Sequence, residues 1–335
     1  MPWKGEKDPY KIWLSEIILQ QTRVAQGLAY YRKFTSNFPT VHELANASEE
    51  KVMKLWEGLG YYSRARNLHA AAKMIVDNFE GQFPNNYIDI LSLKGVGPYT
   101  AAAIASFAFE LPHAVVDGNV YRVLSRFFGI DKPIDNGLGK KHFAKLAQDL
   151  LDKNEPAAFN QAIMDFGATL CTPKNPQCDT CPLQKNCVAF AASNVDLFPI
   201  KSKKIKKRSR YFFLLVAKSK EYTFIRKRIA KDVWQHLFEF PLIESKEPFS
   251  EMAGLQELAN ALSIEPNNIL QHTGIYKQQL THQKIHAIFI ELDAKNALFA
   301  GFDDLKSVHW DRISDYSFPK VINCYLSDKS ISLIF

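Results

Sequence analysis

Leu93-Lys94-Gly95-Val96-Gly97-Pro98-Tyr99-Thr100 runs directly into Ala101-Ala102-Ala103 and is followed, about one helix later, by Val116-Asp117-Gly118-Asn119-Val120. Two glycines one residue apart, then a proline and an alanine-rich run, predict a tight turn between two helices. Glycine supplies backbone conformations that other residues resist, and proline in a first helical turn lacks only an N–H that has no acceptor within the helix. The backbone N–H groups that open the second helix then point outward, where they can hold a phosphate. Asp117 opens the next helix. Its carboxylate can cap that helix or face whatever lies on the held phosphodiester, and the fragment alone leaves both uses open.

Working outward, Asp8-Pro9 ahead of Tyr10-Lys11-Ile12-Trp13-Leu14-Ser15-Glu16-Ile17-Ile18-Leu19 is another helix start, with Asp as the cap and Pro in the first turn. Helical spacing puts Glu16 on or beside the apolar stripe, so its carboxylate must be paired, protonated, functional or able to reach water at the border. Thr40-Val41-His42-Glu43 is a capping box, and Ser63 heads a helix through Ala70-Ala71-Ala72 towards Phe79. Leu138 to Asp152 and Pro156 to Leu170 are the last clear helices, the second carrying Asn160, Gln161 and Asp165. No strand pattern interrupts this helical texture before about Phe190.

Cys171, Cys178, Cys181 and Cys187 give the spacing C-x6-C-x2-C-x5-C, bent by Pro173, Pro176 and Pro182, while the fifth cysteine, Cys324, stands apart. Four thiolates crowded into one loop suit a reduced compartment and a metal centre better than disulfides. Spacing chemistry alone leaves tetrahedral zinc and an iron–sulfur cluster both open.

Lys201 to Arg210 is a basic, polar run expected to be a linker close to nucleic acid. Beyond it the texture changes. Tyr211 to Val216 and Tyr222 to Ile225 are expected to form hairpin strands, Ile285 to Leu292 another strand, and Ser250 to Leu262 a helix, which together predict a separate α+β domain. The whole chain of 335 residues has 47% hydrophobic residues and a net charge of +7, which favours polyanionic partners, and it holds no apolar run long enough to span a membrane. The start, Met1 to Glu6, lacks the basic and apolar regions of a signal peptide, so the expected compartment is the cytoplasm.

Together these motifs resemble the MutY family of adenine DNA glycosylases, in the helix-hairpin-helix superfamily that also contains endonuclease III. The resemblance rests on Pro2-Trp3, Trp13-Leu14-Ser15-Glu16, Leu19-Gln20-Gln21-Thr22, Gly58 to Asn67, the hairpin, Asp117-Gly118-Asn119-Val120, Phe159-Asn160-Gln161-Ala162 and the cysteine spacing. It implies an all-α helix-hairpin-helix glycosylase domain over residues 1–190, with a six-helix module to about 110 and an iron–sulfur module over 111–190. A linker over 191–210 and a MutT/Nudix-like α+β recognition domain over 211–335 would follow. The implied cofactor is a 4Fe-4S cluster on the four cysteines. The implied activity is monofunctional excision of adenine opposite 8-oxoguanine or guanine in double-stranded DNA, by a monomeric, cytoplasmic and nucleoid-associated bacterial enzyme.

The residue types suit that chemistry. Cleaving an N-glycosidic bond needs a protonated leaving purine and a stabilised oxocarbenium-like sugar, which two carboxylates in different protonation states can supply. Glu16, among apolar neighbours, is the expected acid at adenine N7, and Asp117 the ionised partner beside C1′, with Tyr99 and Asn119 assisting. Bifunctional relatives carry a lysine at the Tyr99 position, whose amine forms a Schiff base; a tyrosine cannot. The family places Gln21, Thr22, Leu59 and Tyr61 at the wedge and at the strand opposite the flipped base, and Gln161 in the adenine pocket. Gly95, Val96 and Gly97 are expected to offer backbone amides to a phosphate. Leu280-Thr281-His282 matches the loop where the family sets Phe-Ser-His against 8-oxoguanine, so Thr281 keeps the hydroxyl, Leu280 loses the ring and His282 is retained. Phe238 to Leu242 is followed by no Arg-Glu-x-x-Glu-Glu cluster, which argues against pyrophosphatase activity. Family members usually carry a further helix before the Pro-Trp motif, and its absence here would bear on stability more than on chemistry.

Overall fold

The structure is a computed structural model that describes residues 5–202, 207–245, 265–294, 302 and 304–330. Pro2-Trp3, part of the basic run after Lys201 and the helix expected over Ser250 to Leu262 lie outside the described residues. Contacts within the chain divide it into two units, residues 1–47 with 66–204, and residues 48–65 with 205–335.

The first unit is helical throughout its described residues. Helix α1 spans Pro9–Leu19, with the Asp8 side chain accepting from Tyr10 N–H at its start. Helices α2 (Val24–Asn37) and α3 (Val41–Asn46) follow, and Thr40 and Glu43 make both bonds of the capping box. The chain returns to the unit along α5 (Ser63–Asn78), and α6 (Tyr87–Ser92) and α7 (Pro98–Phe109) then form the predicted hairpin. Gly95 has φ +77, and a Cβ there would lie 2.6 Å from that of Asn67, so the turn needs glycine for its backbone and for the close approach of α5. Ala101 to Ala105 are all buried in α7. Such small side chains let α7 pack closely on α1, whose Ile12, Trp13, Leu14, Ile17 and Ile18 are buried in turn.

Helices α8 (Gly118–Phe128), α9 (Gly137–Leu150), α10 (Pro156–Thr169) and α11 (Val188–Ala191) complete the unit. Val120, Leu124, Phe143 and Ala147 form the small core between α8 and α9, with Ile163 and Met164 of α10 packed against it. Helix α10 also touches α7, which brings the hairpin and the Asp117 turn into one body.

Among its described residues the second unit combines helix α4 (Glu49–Trp56) with two sheets and helix α12 (Lys320–Ser330). Strands β1 (Arg208–Lys218), β4 (Leu242–Ser245), β5 (Ile269–His272), β6 (Tyr276–Gln279) and β7 (Gln283–Asp293) form one sheet, ordered β4-β1-β7-β5 with β6 also paired to β7. Strands β2 (Tyr222–Lys227), β3 (Phe238–Glu239) and β8 (Lys306–His309) form the other. The expected hairpin between the first two strands is therefore corrected: β1 pairs parallel with β7 and antiparallel with β4, and β2 joins a different sheet. The cause is burial on both faces of β1, where Phe212 to Ala217 are all buried, so the strand takes a central place between two partners. One face packs Phe213, Leu215, Ile288 and Ile290 together. On the other, the Phe289 and Tyr325 rings stack at 4.0 Å, which docks α12.

Candidate active site and cluster loop

Four of the residues singled out in the sequence meet where α1, α7 and α8 come together. The Glu16 carboxyl accepts from the Tyr99 hydroxyl and feels the charge of Asp117. Burial first, then the Asp117 charge, pushes the Glu16 carboxyl up to about 7, against the pull of the Tyr99 hydrogen bond. The same burial and the carboxylate neighbour hold the Tyr99 phenol well above its ordinary value, so it stays protonated as a donor. Gln20 Nε2 donates to Thr100 Oγ1 at 3.3 Å, fixing the end of α1 against the start of α7.

Glu16 is not sealed off. With Ser15, Phe107, Ala157 and Gln161 it lines a cavity of about 190 Å³, room for roughly six waters at ~30 Å³ each. A carboxyl surrounded by protein on most sides, yet open to a space of that size, is poised to hand a proton to a bound group.

Of the two uses that the sequence left open for Asp117, the structure displays the helix cap. Its Oδ1 caps α8, accepting from Asn119 N–H and Val120 N–H, each at 2.8 Å, while Oδ2 accepts from Asn119 Nδ2 at 2.7 Å. Three donors and the positive end of the α8 dipole thus converge on one carboxylate. Asn119 is fixed by Arg122, whose Nη2 donates to Asn119 Oδ1 at 2.8 Å and to the Gly167 carbonyl at 2.5 Å. Gly167 permits that approach: a Cβ on it would lie 2.7 Å from Asn119 Cβ. Asn160 sits 1% exposed and holds the strand-like segment before Asp117. Its Oδ1 accepts from Val115 N–H at 2.9 Å, and its Nδ2 donates to Ser106 Oγ and to the His113 carbonyl, each at 2.9 Å.

Cys171, Cys178, Cys181 and Cys187 are all free thiols that line one cavity, together with Phe166, Leu170, Phe190 and Val195. Among the described residues no three His, Cys, Asp or Glu side chains converge closely enough to hold a single metal ion. Four sulfurs around one common space, walled otherwise largely by apolar side chains, are a donor set that suits an iron–sulfur cluster as well as zinc. Arg126, 2% exposed, ties the loop to α8. It donates to the Thr172 carbonyl at 2.7 Å and to Cys171 Sγ at 3.4 Å, and Arg122 Nε donates to the Cys171 carbonyl at 2.7 Å.

The remaining predicted residues fall in three places. Gln21 follows α1 with φ 55, exposed, and Thr22 N–H bonds the Leu19 carbonyl at 3.1 Å. In the hairpin, Val96 N–H already donates to the Leu93 carbonyl at 3.1 Å. The outward N–H groups there thus belong to Gly95, Gly97 and the first turn of α7. Leu59, Tyr61, Thr281 and His282 belong to the second unit. Leu59 is 8% exposed and Tyr61 44% exposed, and the Tyr61 hydroxyl hydrogen-bonds Thr281 Oγ1. Thr281 and His282 form the tip of the β6–β7 hairpin, closed by Leu280 N–H on the Gln283 carbonyl at 2.8 Å.

The model of the HhH-GPD superfamily of base excision DNA repair proteins matches residues 14–149, that of the iron-sulfur binding domain of endonuclease III residues 171–187, and that of the NUDIX domain residues 211–328. An adenine DNA glycosylase of Buchnera aphidicola subsp. Baizongia pistaciae is 38% identical over 290 residues, 85% of this chain and 79% of the relative. The chain belongs to the adenine DNA glycosylase family. The adenine DNA glycosylase of Homo sapiens is 43% identical over 198 residues, 56% of this chain and 36% of that one. A thermostable thymine-DNA glycosylase structure aligns with a TM-score of 0.54 and 31% identity over 57% of this chain and 88% of that chain. An endonuclease III–DNA complex shares the fold, with a TM-score of 0.51 and 24% identity over 56% of this chain and 86% of that chain.

Against the background of that family, the sequence reading missed Arg122, Arg126 and Asn160 as organisers of the site. The available signal was Arg122 and Arg126, one helical turn apart in α8 and interleaved with Val120, Val123 and Leu124, since buried arginines need several acceptors. No helix among the described residues is long and apolar enough to cross a membrane.

Proposed function

We propose that the protein releases adenine paired with 8-oxoguanine or guanine in duplex DNA by hydrolysis of the N-glycosidic bond, without strand cleavage. The observation that carries this reading is the Glu16 carboxyl, pushed up to about 7 on a cavity it shares with Gln161, beside Tyr99 and Asp117.

The steps follow from the residues. An adenine rotated out of the stack enters the cavity, where the Gln161 amide can offer a donor and an acceptor to the base edge. Protonated Glu16 gives its proton to N7, so the bond electrons from C1′–N9 leave with a neutral purine. The Asp117 carboxylate, held by Asn119 and the α8 N-terminus, stabilises the cation left at C1′. Water then adds to C1′ and its proton returns to a carboxylate, leaving an abasic site. Tyr99 offers no amine for a Schiff base, so the sugar is not opened and the strand stays whole. Cys171, Cys178, Cys181 and Cys187 would hold a 4Fe-4S cluster, which would supply thiolate bonds across their loop, and Arg126 and Arg122 fasten that loop to α8. The hairpin amides of Gly95 and Gly97 position the strand on its phosphate, Gln21 and Thr22 meet the duplex at the end of α1, and Leu59, Tyr61, Thr281 and His282 read the opposite base. The net charge of +7 suits a DNA partner.

The test is an incubation of the purified protein with a duplex carrying one adenine opposite 8-oxoguanine, followed by alkali. Strand scission only after alkali is expected. Intact DNA after alkali would overturn the reading, and scission without alkali would overturn its monofunctional part.

A further inference from the structure

Residues 48–65 group with residues 205–335, although more than a hundred residues of the other unit separate them in sequence. That short stretch carries α4 and then Glu57-Gly58-Leu59-Gly60-Tyr61-Tyr62. Glu57 is the C-cap residue of α4, only 18% exposed. Its Oε1 accepts from Phe318 N–H at 2.9 Å and from Asn323 Nδ2 at 2.9 Å, and Oε2 accepts from Lys54 Nζ at 2.5 Å. Lys54 Nζ donates onward to the Tyr316 carbonyl at 3.0 Å. The start of α4 is held too, by Glu49 on His236 at 2.7 Å and Glu50 on Lys227 at 2.6 Å.

The loop after Glu57 turns on two glycines and holds Tyr61 in a conformation that residues with side chains resist. Gly58, Gly60 and Tyr61 have φ of 97, 73 and 49, and a tyrosine in the left-handed region persists only where its surroundings dictate it. Trp56 Nε1 donates to the Gly60 carbonyl at 3.0 Å, and the Arg64 guanidinium lies 5.7 Å from the Tyr61 ring. At the tip, the Tyr61 hydroxyl meets Thr281. Two loops distant in sequence thus touch through the residues expected to read the base opposite adenine.

We infer that Glu57 is a positioning residue for lesion recognition: it anchors the Leu59–Tyr61 loop to the turn ahead of α12, so that this loop and the Thr281–His282 tip read the opposite base as one preformed surface. This rests on the assignment of 8-oxoguanine as the base read there. A preformed surface avoids the ordering that binding would otherwise require, and so raises the preference for 8-oxoguanine over guanine. Removing the carboxylate leaves the Phe318 N–H and the Asn323 amide without that acceptor and frees the loop from α12. Losing only its charge matters little, because the amide oxygen of glutamine can accept both bonds and the Lys54 pair is partly exposed.

The experiment measures dissociation constants for two duplexes, each with an excision-resistant 2′-fluorinated adenosine opposite either 8-oxoguanine or guanine, for the wild type, E57A, E57Q, T281A and E57A/T281A. Single-turnover excision from a saturating adenine–guanine duplex and far-UV melting serve as controls. The expected result is an 8-oxoguanine preference about tenfold smaller in E57A, retained in E57Q, and lowered little further when T281A is added to E57A, with the control rate unchanged in E57A and E57Q. An E57A protein with the wild-type preference, additive losses in the double variant, or equal weakening on both duplexes would overturn the inference. A wild type that excises adenine yet does not distinguish the two opposite bases would instead overturn the 8-oxoguanine assignment on which it rests.

Discussion

Replacing Glu16 by glutamine should stabilise the protein, and by more at high pH than at low. The folded-state value of about 7 stands above the ordinary 4.5, so the fold binds this proton more tightly than the unfolded chain does. Stability contributed by Glu16 is therefore complete below the ordinary value and is lost as the pH rises through 7. Linkage gives a loss of about 1 kcal/mol at pH 5.5 and about 3 kcal/mol at pH 8, a difference of ~2 kcal/mol. Because the carboxyl opens on a cavity that admits water, ~2 kcal/mol is an upper figure. Glutamine keeps an oxygen for the Tyr99 hydroxyl but has no charge to bury, so the variant escapes the loss. Urea unfolding of both proteins at the two pH values and one ionic strength, read as a double difference, cancels the other titrating groups. A wild-type-minus-variant difference that does not move with pH would show that Glu16 ionises like an ordinary carboxyl, and it would remove the proton donor from the mechanism at neutral pH.

Gly167→Ala should lower the melting temperature by a few degrees, since its Cβ would meet Asn119 Cβ at 2.7 Å and overpacking of this kind destabilises by about 1–3 kcal/mol; unchanged melting would mean that α8 and α10 are not pressed together there. Cys181→Ser should lose iron, sulfide and the visible absorbance of the purified protein together; a colourless wild type containing zinc would contradict the cluster. Borohydride added during turnover on the adenine–8-oxoguanine duplex should trap no covalent protein–DNA adduct, because Tyr99 carries no amine; a trapped adduct in yield comparable to excised adenine would contradict the hydrolytic route. Asp117→Asn should depress single-turnover excision by at least about a hundredfold, in line with the loss of a group that stabilises charge in the transition state, with lesion binding retained; a near-wild-type rate would take the cation-stabilising role from Asp117.

The parts of this protein legible in sequence are those whose signal is local. Gly95, Gly97 and Pro98 announce the hairpin because a left-handed backbone and a missing N–H confine the chain to a turn followed by a helix start. Glu16 stands out as a carboxylate among Ile12, Trp13, Ile17 and Ile18, and the cysteine spacing needs no distant partner to be read. The arginines of α8 were not legible, because what makes Arg122 and Arg126 structural is a set of backbone carbonyls at Gly167, Cys171 and Thr172, some fifty residues further along. The pairing of β1 failed for the same reason. Its short separation from β2 suggests a hairpin, whereas its true neighbour β7 lies over sixty residues away and is chosen by burial on both faces. Glu57 looks like an ordinary polar helix end until α12 is folded against it.

The central claim is that a protonated Glu16 on a shared cavity drives release of adenine. It is tested most directly by the single-turnover rate of adenine release from a duplex with adenine opposite 8-oxoguanine, measured from pH 5.5 to 9 for the wild type and Glu16→Gln. The account predicts a wild-type rate that falls as the pH rises past about 7, and a variant that binds the duplex but releases no adenine at any pH. Adenine release by Glu16→Gln at a rate near that of the wild type would contradict it.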